Sequence, residues 1–327
     1  MRQLILSLIS VLLLSVTIYA QDKSSFTVAT DGTGDFTSIQ KAIDNCKAFP
    51  DKRVTILVKN GIYHEKIQVP SFNTYLSIIG ENPEKTIITF DDHFVKINRG
   101  RNSTFYTYTL LVEACDFRME NVTVENSAGP VGQAVALHVE GDRCIFRNCR
   151  FLGNQDTVYA AGRFSRILFG NCYFEGTTDF IFGEATALFE KCNIHCKGNS
   201  YITAASTPEG KPFGFVFMNC KITVADGMDK IYLGRPWRVF AKTAFLNCEM
   251  GSFILPEGWS NWSKPECEKS VVYAEYANTG KGASNDHRVS WSHQLNQKEA
   301  SIYSKENIFA AYSWETTADK KWYNSDL

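Results

Sequence analysis

Phe146-Arg147-Asn148-Cys149-Arg150-Phe151 and Phe169-Gly170-Asn171-Cys172-Tyr173-Phe174 share one six-residue pattern: apolar, any, Asn, apolar, any, apolar. The pattern returns at 119–124, 189–194, 217–222 and 245–250, with Lys191 replacing Asn once. Its third position falls at 121, 148, 171, 191, 219 and 247, so the steps are 27, 23, 20, 28 and 28 residues. Unequal steps around a fixed short strand mean constant coils joined by loops of varied length. Helical repeats keep a stricter period and a 3.6-residue pattern, which is absent here. The spacing predicts an all-β chain, a right-handed parallel β-helix or solenoid. Asn at the third position suits a tight bend, because Asn tolerates the left-handed region, and its amides can stack into a ladder.

Two carboxylates hang from this repeat. Asp156 lies eight residues after Asn148, and Asp179 lies eight residues after Asn171. On a coiled fold they occupy one place on successive turns, and parallel strands stack about 4.8 Å apart. Neighbouring carboxyls cannot easily both ionise, which splits them into an acid and a base or nucleophile. Arg235, in Leu233-Gly234-Arg235-Pro236-Trp237, offers a guanidinium that can hold a carboxylate with two bonds. Gln155 adjoins Asp156, and Gln133 sits about one coil earlier; two amides beside a carboxylate suit an oxyanion hole. Phe182 and Trp237 offer flat apolar faces for a sugar ring. The plainer alternatives are core aromatics for Phe182 and Trp237, and a structural ion pair for Arg235.

The rest of the chain fits an enclosed solenoid. A strand at 26–29 and a turn at 31–34 precede a helix with Ile39, Ala42, Ile43 and Cys46 on one face. Thr37-Ser38-Ile39-Gln40 has the form of a capping box at its start. This helix is expected to cover the open N-terminal end, where a solenoid exposes core and strand edges. Further strands are expected at 54–59, 63–69, 75–79, 86–90 and 271–276, a loop at 278–286, and a helical or irregular wrap over the side from 300 onward. No linker divides 21–327, so one domain is expected.

The net charge of the 327 residues is −1, with 21% charged and 44% hydrophobic residues. There is no basic run of the kind that nucleic acid selects. Residues 1–20 read as a secretory signal: Arg2, an almost wholly apolar 4–19, then Ala20 before the polar Gln21-Asp22-Lys23. Cleavage there predicts an exported protein, secreted or periplasmic, with no membrane segment once the signal is removed; a monomer is expected. Of the ten cysteines, Cys149, Cys172, Cys192, Cys220 and Cys248 share one repeat position. One expectation is a column of packed thiols. The other is a Cys172–Cys192 disulfide, one coil apart with Cα atoms about 5 Å distant, within bridging reach.

The sequence resembles the pectin methylesterase (pectinesterase) family through nearly all of 21–327. The matching stretches are Gly61-Ile62-Tyr63-His64-Glu65, the Gln133 segment, Gln155-Asp156-Thr157, Asp179-Phe180-Ile181-Phe182-Gly183 and Leu233-Gly234-Arg235-Pro236-Trp237. Tyr273-Ala274-Glu275-Tyr276 and Arg288-Val289-Ser290-Trp291 follow in the family's order. The resemblance implies a right-handed parallel β-helix and hydrolysis of galacturonate methyl esters in pectin. It implies Asp179 as nucleophile, Asp156 as general acid and then base, and Gln133 and Gln155 as the oxyanion hole. Arg235 orients Asp179, and Trp237 and Phe182 contact the sugar; no metal or organic cofactor is implied. Val158 and Glu184 depart from the family pattern, which leaves subsite preference open. The competing readings are another pectin-degrading β-helix enzyme, a glycoside hydrolase or lyase, or a non-catalytic carbohydrate-binding solenoid. A hydrolase needs no paired glutamines, and a lyase wants an acidic Ca²⁺ cluster that the sequence does not assemble.

Overall fold

The structure, a computed structural model, describes residues 23–313 and 321–324; the signal-like segment 1–20 lies outside them. Three parallel sheets wind along one solenoid, the first of 11 strands and the second and third of 7 each. The hand is right-handed. One coil runs Cys144–Arg147 in the first sheet, Arg150–Leu152 in the third and Val158–Ala160 in the second. The next runs Arg166–Gly170, Tyr173–Gly176 and Ile181–Gly183, strictly parallel and in register with the last.

The repeat is legible in the packing. Its first position forms an inner ladder of Phe146, Phe169, Phe189, Phe217 and Phe245, all fully buried. Successive rings stack with centroids 5.0, 4.9, 4.3 and 4.4 Å apart. Each such ring removes enough apolar surface from water to contribute about 1.5–3 kcal/mol. Its third position turns the corner between the first and third sheets. Asn121, Asn148, Asn171, Lys191, Asn219 and Asn247 all have φ between 48° and 57°. Lys191 carries the left-handed backbone as Asn does, so the bend is imposed by the coil and only eased by the residue. The Asn148 side-chain amide donates to Asn121 Oδ1 at 2.6 Å, one rung of the expected ladder.

The fourth position gives the column of cysteines, and all ten in the chain are free thiols. The expected Cys172–Cys192 disulfide is therefore corrected. In-register parallel strands hold equivalent Cβ atoms about 4.8 Å apart, beyond the usual 3.5–4.5 Å of a disulfide. The thiols turn instead to backbone carbonyls. Cys172 Sγ donates to Phe146 O at 3.5 Å and Gly170 O at 3.4 Å, and Cys192 Sγ to Phe169 O at 3.5 Å and Glu190 O at 3.4 Å.

The N-terminal helix is Ile39–Asp44, with Ile39, Ala42 and Ile43 buried. It packs on the strands Ser25–Val28, Val54–Val58 and Ile67–Val69, as an end cover should. The capping box is not the expected Thr37/Gln40 pair. Ser38 is the N-cap, and its helpers come from far along the chain. Glu65 accepts from Ser38 Oγ (2.8 Å), Ile39 N (3.0 Å) and Gln40 N (3.0 Å). Glu65 also breaks the strand expected over 63–69 into Gly61–His64 and Ile67–Val69, which belong to different sheets. At the other end, Ile308, Phe309, Trp322 and Tyr323 cover the outward residues Ile145, Leu168, Leu188, Val216, Ala244 and Ala274 of the first sheet. Residues 314–320 and 325–327 of that wrap lie outside the described residues.

Candidate active site

The turn from the third sheet into the second carries the two aspartates. Val158 pairs with Ile181 and Tyr159 with Phe182, so Asp156 and Asp179 each lie two residues before an aligned strand. Both backbones are left-handed, φ 66° and 50°. Coil after coil, each amide is satisfied by the next: Asp156 N donates to Thr178 O (3.1 Å) and Asp179 N to Tyr201 O (2.8 Å). One coil back, Gln133 bridges Gln155 in parallel, with Ala134 N donating to Gln155 O at 3.1 Å. Among the described residues neither glutamine side chain has a hydrogen-bond partner, so both amides are available beside Asp156. Gly183 ends the strand that follows Asp179 with φ 126°, and a Cβ there would meet Ala160 O at 2.1 Å. Only glycine lets the strand press so closely on the coil below.

Arg235 arrives two coils later. Phe182, Ala204 and Arg235 are register partners in successive strands of the second sheet. Ala204 is too small to fill its place in that column, and the Arg235 side chain folds back over it. Its Nε donates to Asp179 Oδ1 at 2.9 Å and its Nη2 to Asp179 Oδ2 at 2.6 Å. This two-bond fork fixes both the position and the plane of the carboxylate.

Burial and charge then separate the two acids. Asp156 is pushed well above the usual carboxylate range by burial first and by the Asp179 charge second, with Arg235 pulling it back. Its carboxyl has no hydrogen-bond partner among the described residues. Asp179 is also raised by burial, but the Arg235 fork and then its charge, with Lys264 behind it, oppose the rise. The proton shared by such a pair therefore rests on Asp156, and Asp179 is left as the carboxylate. Burial outweighs its partners, so the guanidinium counteracts the desolvation of Asp179 without overriding it.

All seven expected residues line one cleft of about 420 Å³: Gln133, Gln155, Asp156, Asp179, Phe182, Arg235 and Trp237. Phe182 is nine-tenths covered yet belongs to a small aromatic cluster outside the solenoid core, with Tyr159, Trp237, Phe105 and Trp262. Its ring stacks on Tyr159 at 4.6 Å, nearly parallel at 12°. Arg101, Phe105, Arg238, Trp262 and Lys264 share the cleft and were missed from sequence. They come from the short 3₁₀ segment Gly100–Tyr106 and from loops at 237–241 and 255–264, where no repeat mark exists to place them. Tyr201 was missed for a simpler reason. It is the residue aligned with Asp179 on the next coil, but it lies ten residues after Lys191 where the previous coils count eight.

The family model for pectinesterase matches residues 25–311. Pectinesterase 31 of Arabidopsis thaliana is 40% identical over 281 residues, covering 84% of this chain and 88% of that protein. Several longer Arabidopsis relatives match at similar coverage of this chain, which spans about half of their length. The solved pectin methylesterase from carrot superposes with a TM-score of 0.82 at 30% identity, covering 88% of this chain and 94% of that one. A mutant pectin methylesterase solved in complex with a hexasaccharide gives a TM-score of 0.76 at 27% identity, covering 88% and 97%. On its sequence and on the solenoid that carries its two aspartates, the chain belongs to the pectinesterase family.

Proposed function

We propose that the chain hydrolyses methyl esters of galacturonate units in pectin and releases methanol, with Asp179 as nucleophile and Asp156 as acid, then base. The observation that carries this reading is the unlike pair: Asp179 forked by Arg235, and Asp156 buried beside it with no hydrogen-bond partner among the described residues.

The Asp179 carboxylate attacks the ester carbonyl carbon. Negative charge moves to the carbonyl oxygen, where the free amides of Gln133 and Gln155 can donate to it. Collapse breaks the C–O bond to the methoxy group, and Asp156 gives that oxygen its proton, so methanol leaves. An acyl anhydride on Asp179 remains. Asp156, now a carboxylate, takes a proton from water as the water oxygen attacks that carbonyl. Breaking the anhydride returns Asp179 as carboxylate and Asp156 as acid. The aromatic faces of Phe182 and Trp237 support the sugar that carries the ester.

Export through the apolar N-terminal segment, to the periplasm or outside the cell, and action as a monomer complete the proposal. No helix among the described residues is long and apolar enough to cross a membrane. The test measures methanol, new reducing ends and unsaturated product from methylated pectin in parallel, with Asp179→Asn as control. Methanol alone, abolished in Asp179→Asn, is the expected result. Chain cleavage without methanol would replace the reading with that of a glycoside hydrolase or a lyase, and no turnover at all with that of a binding solenoid.

A further inference from the structure

The Arg235 guanidinium is covered on both faces. Its Cζ lies 4.1 Å from the Tyr201 ring centroid and 3.7 Å from that of Trp262. Two rings so close to one carbon cannot share a face without overlapping, so they stand on opposite sides. The stack continues outward. The Tyr232 ring lies on Tyr201 at 5.1 Å and 14°, and Lys264 Nζ sits 4.5 Å from the Trp262 ring. With both faces covered, the guanidinium presents only its edge, and that edge carries the Nε and Nη2 donors to Asp179.

Each ring is itself held. Tyr201 belongs to the strand Tyr201–Ala205, and its carbonyl accepts from Asp179 N at 2.8 Å. One residue thus fixes the nucleophile's backbone and the cation that orients its side chain. Trp262 sits on a loop that passes through two successive left-handed residues, Trp262 at φ 56° and Ser263 at φ 54°. Such a backbone persists only where its surroundings enforce it. Here Trp262 N donates to Ser260 Oγ (3.2 Å), Ser263 N to Asn261 Oδ1 (2.9 Å), and Asn261 Nδ2 to Glu268 Oε1 (2.6 Å).

We propose that Tyr201 and Trp262 are positioning residues for the esterase reaction: they clamp the Arg235 guanidinium in the plane that aligns Asp179 for attack. The inference rests on the reaction proposed above. It assigns Trp262 a task beyond that of lining the cleft. An arginine has a long, rotatable stem, and among the described residues no other ring covers the faces of this one. Freed from the clamp, it would leave Asp179 among Asp156 on the coil below, Lys264 on the loop, Tyr201 beside it and Tyr273 in the core behind. Of these only Lys264 favours the Asp179 carboxylate, against the burial that opposes it.

The test follows methanol release against pH for Tyr201→Leu, Trp262→Leu, Arg235→Ala and the double variant Trp262→Leu/Arg235→Ala. Trp262→Phe and Tyr201→Phe, which keep a ring face, serve as rescues, and Asp179→Asn reports on the reaction itself. Thermal unfolding confirms that each variant folds, and the two clamp sites are read independently. Each leucine variant is expected to lower kcat roughly 10- to 100-fold, the scale of a small misplacement of a reacting group. Each is also expected to move the acid limb of kcat/KM upward, as Arg235→Ala does, while the phenylalanine variants recover most of both. The double variant is expected to match Arg235→Ala alone. A rise in KM with kcat and the acid limb unmoved would make Trp262 and Tyr201 sugar platforms only and would overturn the clamp. So would losses that simply multiply in the double variant. Activity surviving in Asp179→Asn would instead overturn the reaction on which the inference rests.

Discussion

Asp156 and Asp179 occupy one position on successive coils, and both hold a left-handed backbone, φ 66° and 50°. Asp and Asn tolerate that region better than other residues with a Cβ. Replacement by Asn therefore removes the acid and keeps the turn, whereas Ala would add backbone strain. Asp179→Asn is expected to lower kcat by roughly 10⁴-fold or more, as loss of a nucleophile does. Asp156→Asn is expected to lower it by roughly 10²- to 10⁴-fold, the scale of general acid–base catalysis. Steady-state methanol release on variants with wild-type circular dichroism checks both, and a folded Asp179→Asn variant with near-wild-type turnover would end the proposed mechanism.

Asp156 also predicts a trade between stability and activity. Its folded pKa is raised, by burial and by the Asp179 charge. A group raised in the folded state stabilises fully below its unfolded value, about 3.9 for Asp, and loses that contribution as pH climbs through the folded value. Asn never ionises, so Asp156→Asn should melt at a higher temperature than wild type near pH 7 and at nearly the same temperature near pH 4. Asp179→Asn should show no such gain, because it leaves Arg235 without its partner. Melting curves at the two pH values decide; a gap that widens toward pH 4 would reverse the assigned sign.

Glu65 ties the end cover to the body through three hydrogen bonds to Ser38, Ile39 and Gln40. Removing a cap of this kind costs about 0.5–2 kcal/mol, and more where a second donor loses its partner. Glu65→Ala should lower the thermal midpoint measurably while leaving kcat near wild type, since the cleft is built from coils farther along. Loss of activity at temperatures where the variant is folded would place Glu65 in the chemistry instead.

Much of this was legible beforehand, for one physical reason. A parallel coil repeats its own corner, so Asn148 and Asn171 mark where Asp156 and Asp179 must fall, eight residues on. The rule holds while the turn keeps its length. It fails at Lys191, where a longer turn moves Tyr201 out of count, and it says nothing of loops such as the one that carries Trp262. The helix cap failed similarly: Thr37 and Gln40 satisfied a local pattern, but Glu65, distant in sequence, takes the amides of Ile39 and Gln40 instead. What stays hidden in the sequence is whatever the tertiary structure brings in from another turn.

The cysteine column gives a chemical prediction. Alkylation of the denatured, unreduced protein should label all ten thiols by mass spectrometry, even after export to an oxidising compartment, because none is bridged. In the native protein only Cys46 and Cys115, the two that are not fully buried, should react at all. Burial raises both of these thiols, Cys46 to about 11, so their labelling should be slow near pH 7 and quicken as pH rises. Protection of Cys172 and Cys192 in the denatured sample would restore the disulfide that the strand spacing argues against.

Arg235 combines a charge with a shape, and two substitutions separate them. The guanidinium forks Asp179 with bonds of 2.9 and 2.6 Å and lies between two rings. Arg235→Ala removes both properties. Asp179 then keeps its burial and loses its strongest opposing partner, so its ionisation needs a higher pH. The acid limb of kcat/KM, which reports deprotonation of the Asp156/Asp179 pair as a unit, should move upward. The plateau should also fall, by roughly 10²-fold, because the attacking oxygen is no longer aimed. Arg235→Lys restores a cation but not the planar fork or the stacking faces. Its acid limb should therefore sit between those of wild type and Arg235→Ala, while its plateau stays low. Should the plateau fall in both variants with neither limb moving, Arg235 acts through geometry alone, and the electrostatic division of labour between the two aspartates is wrong.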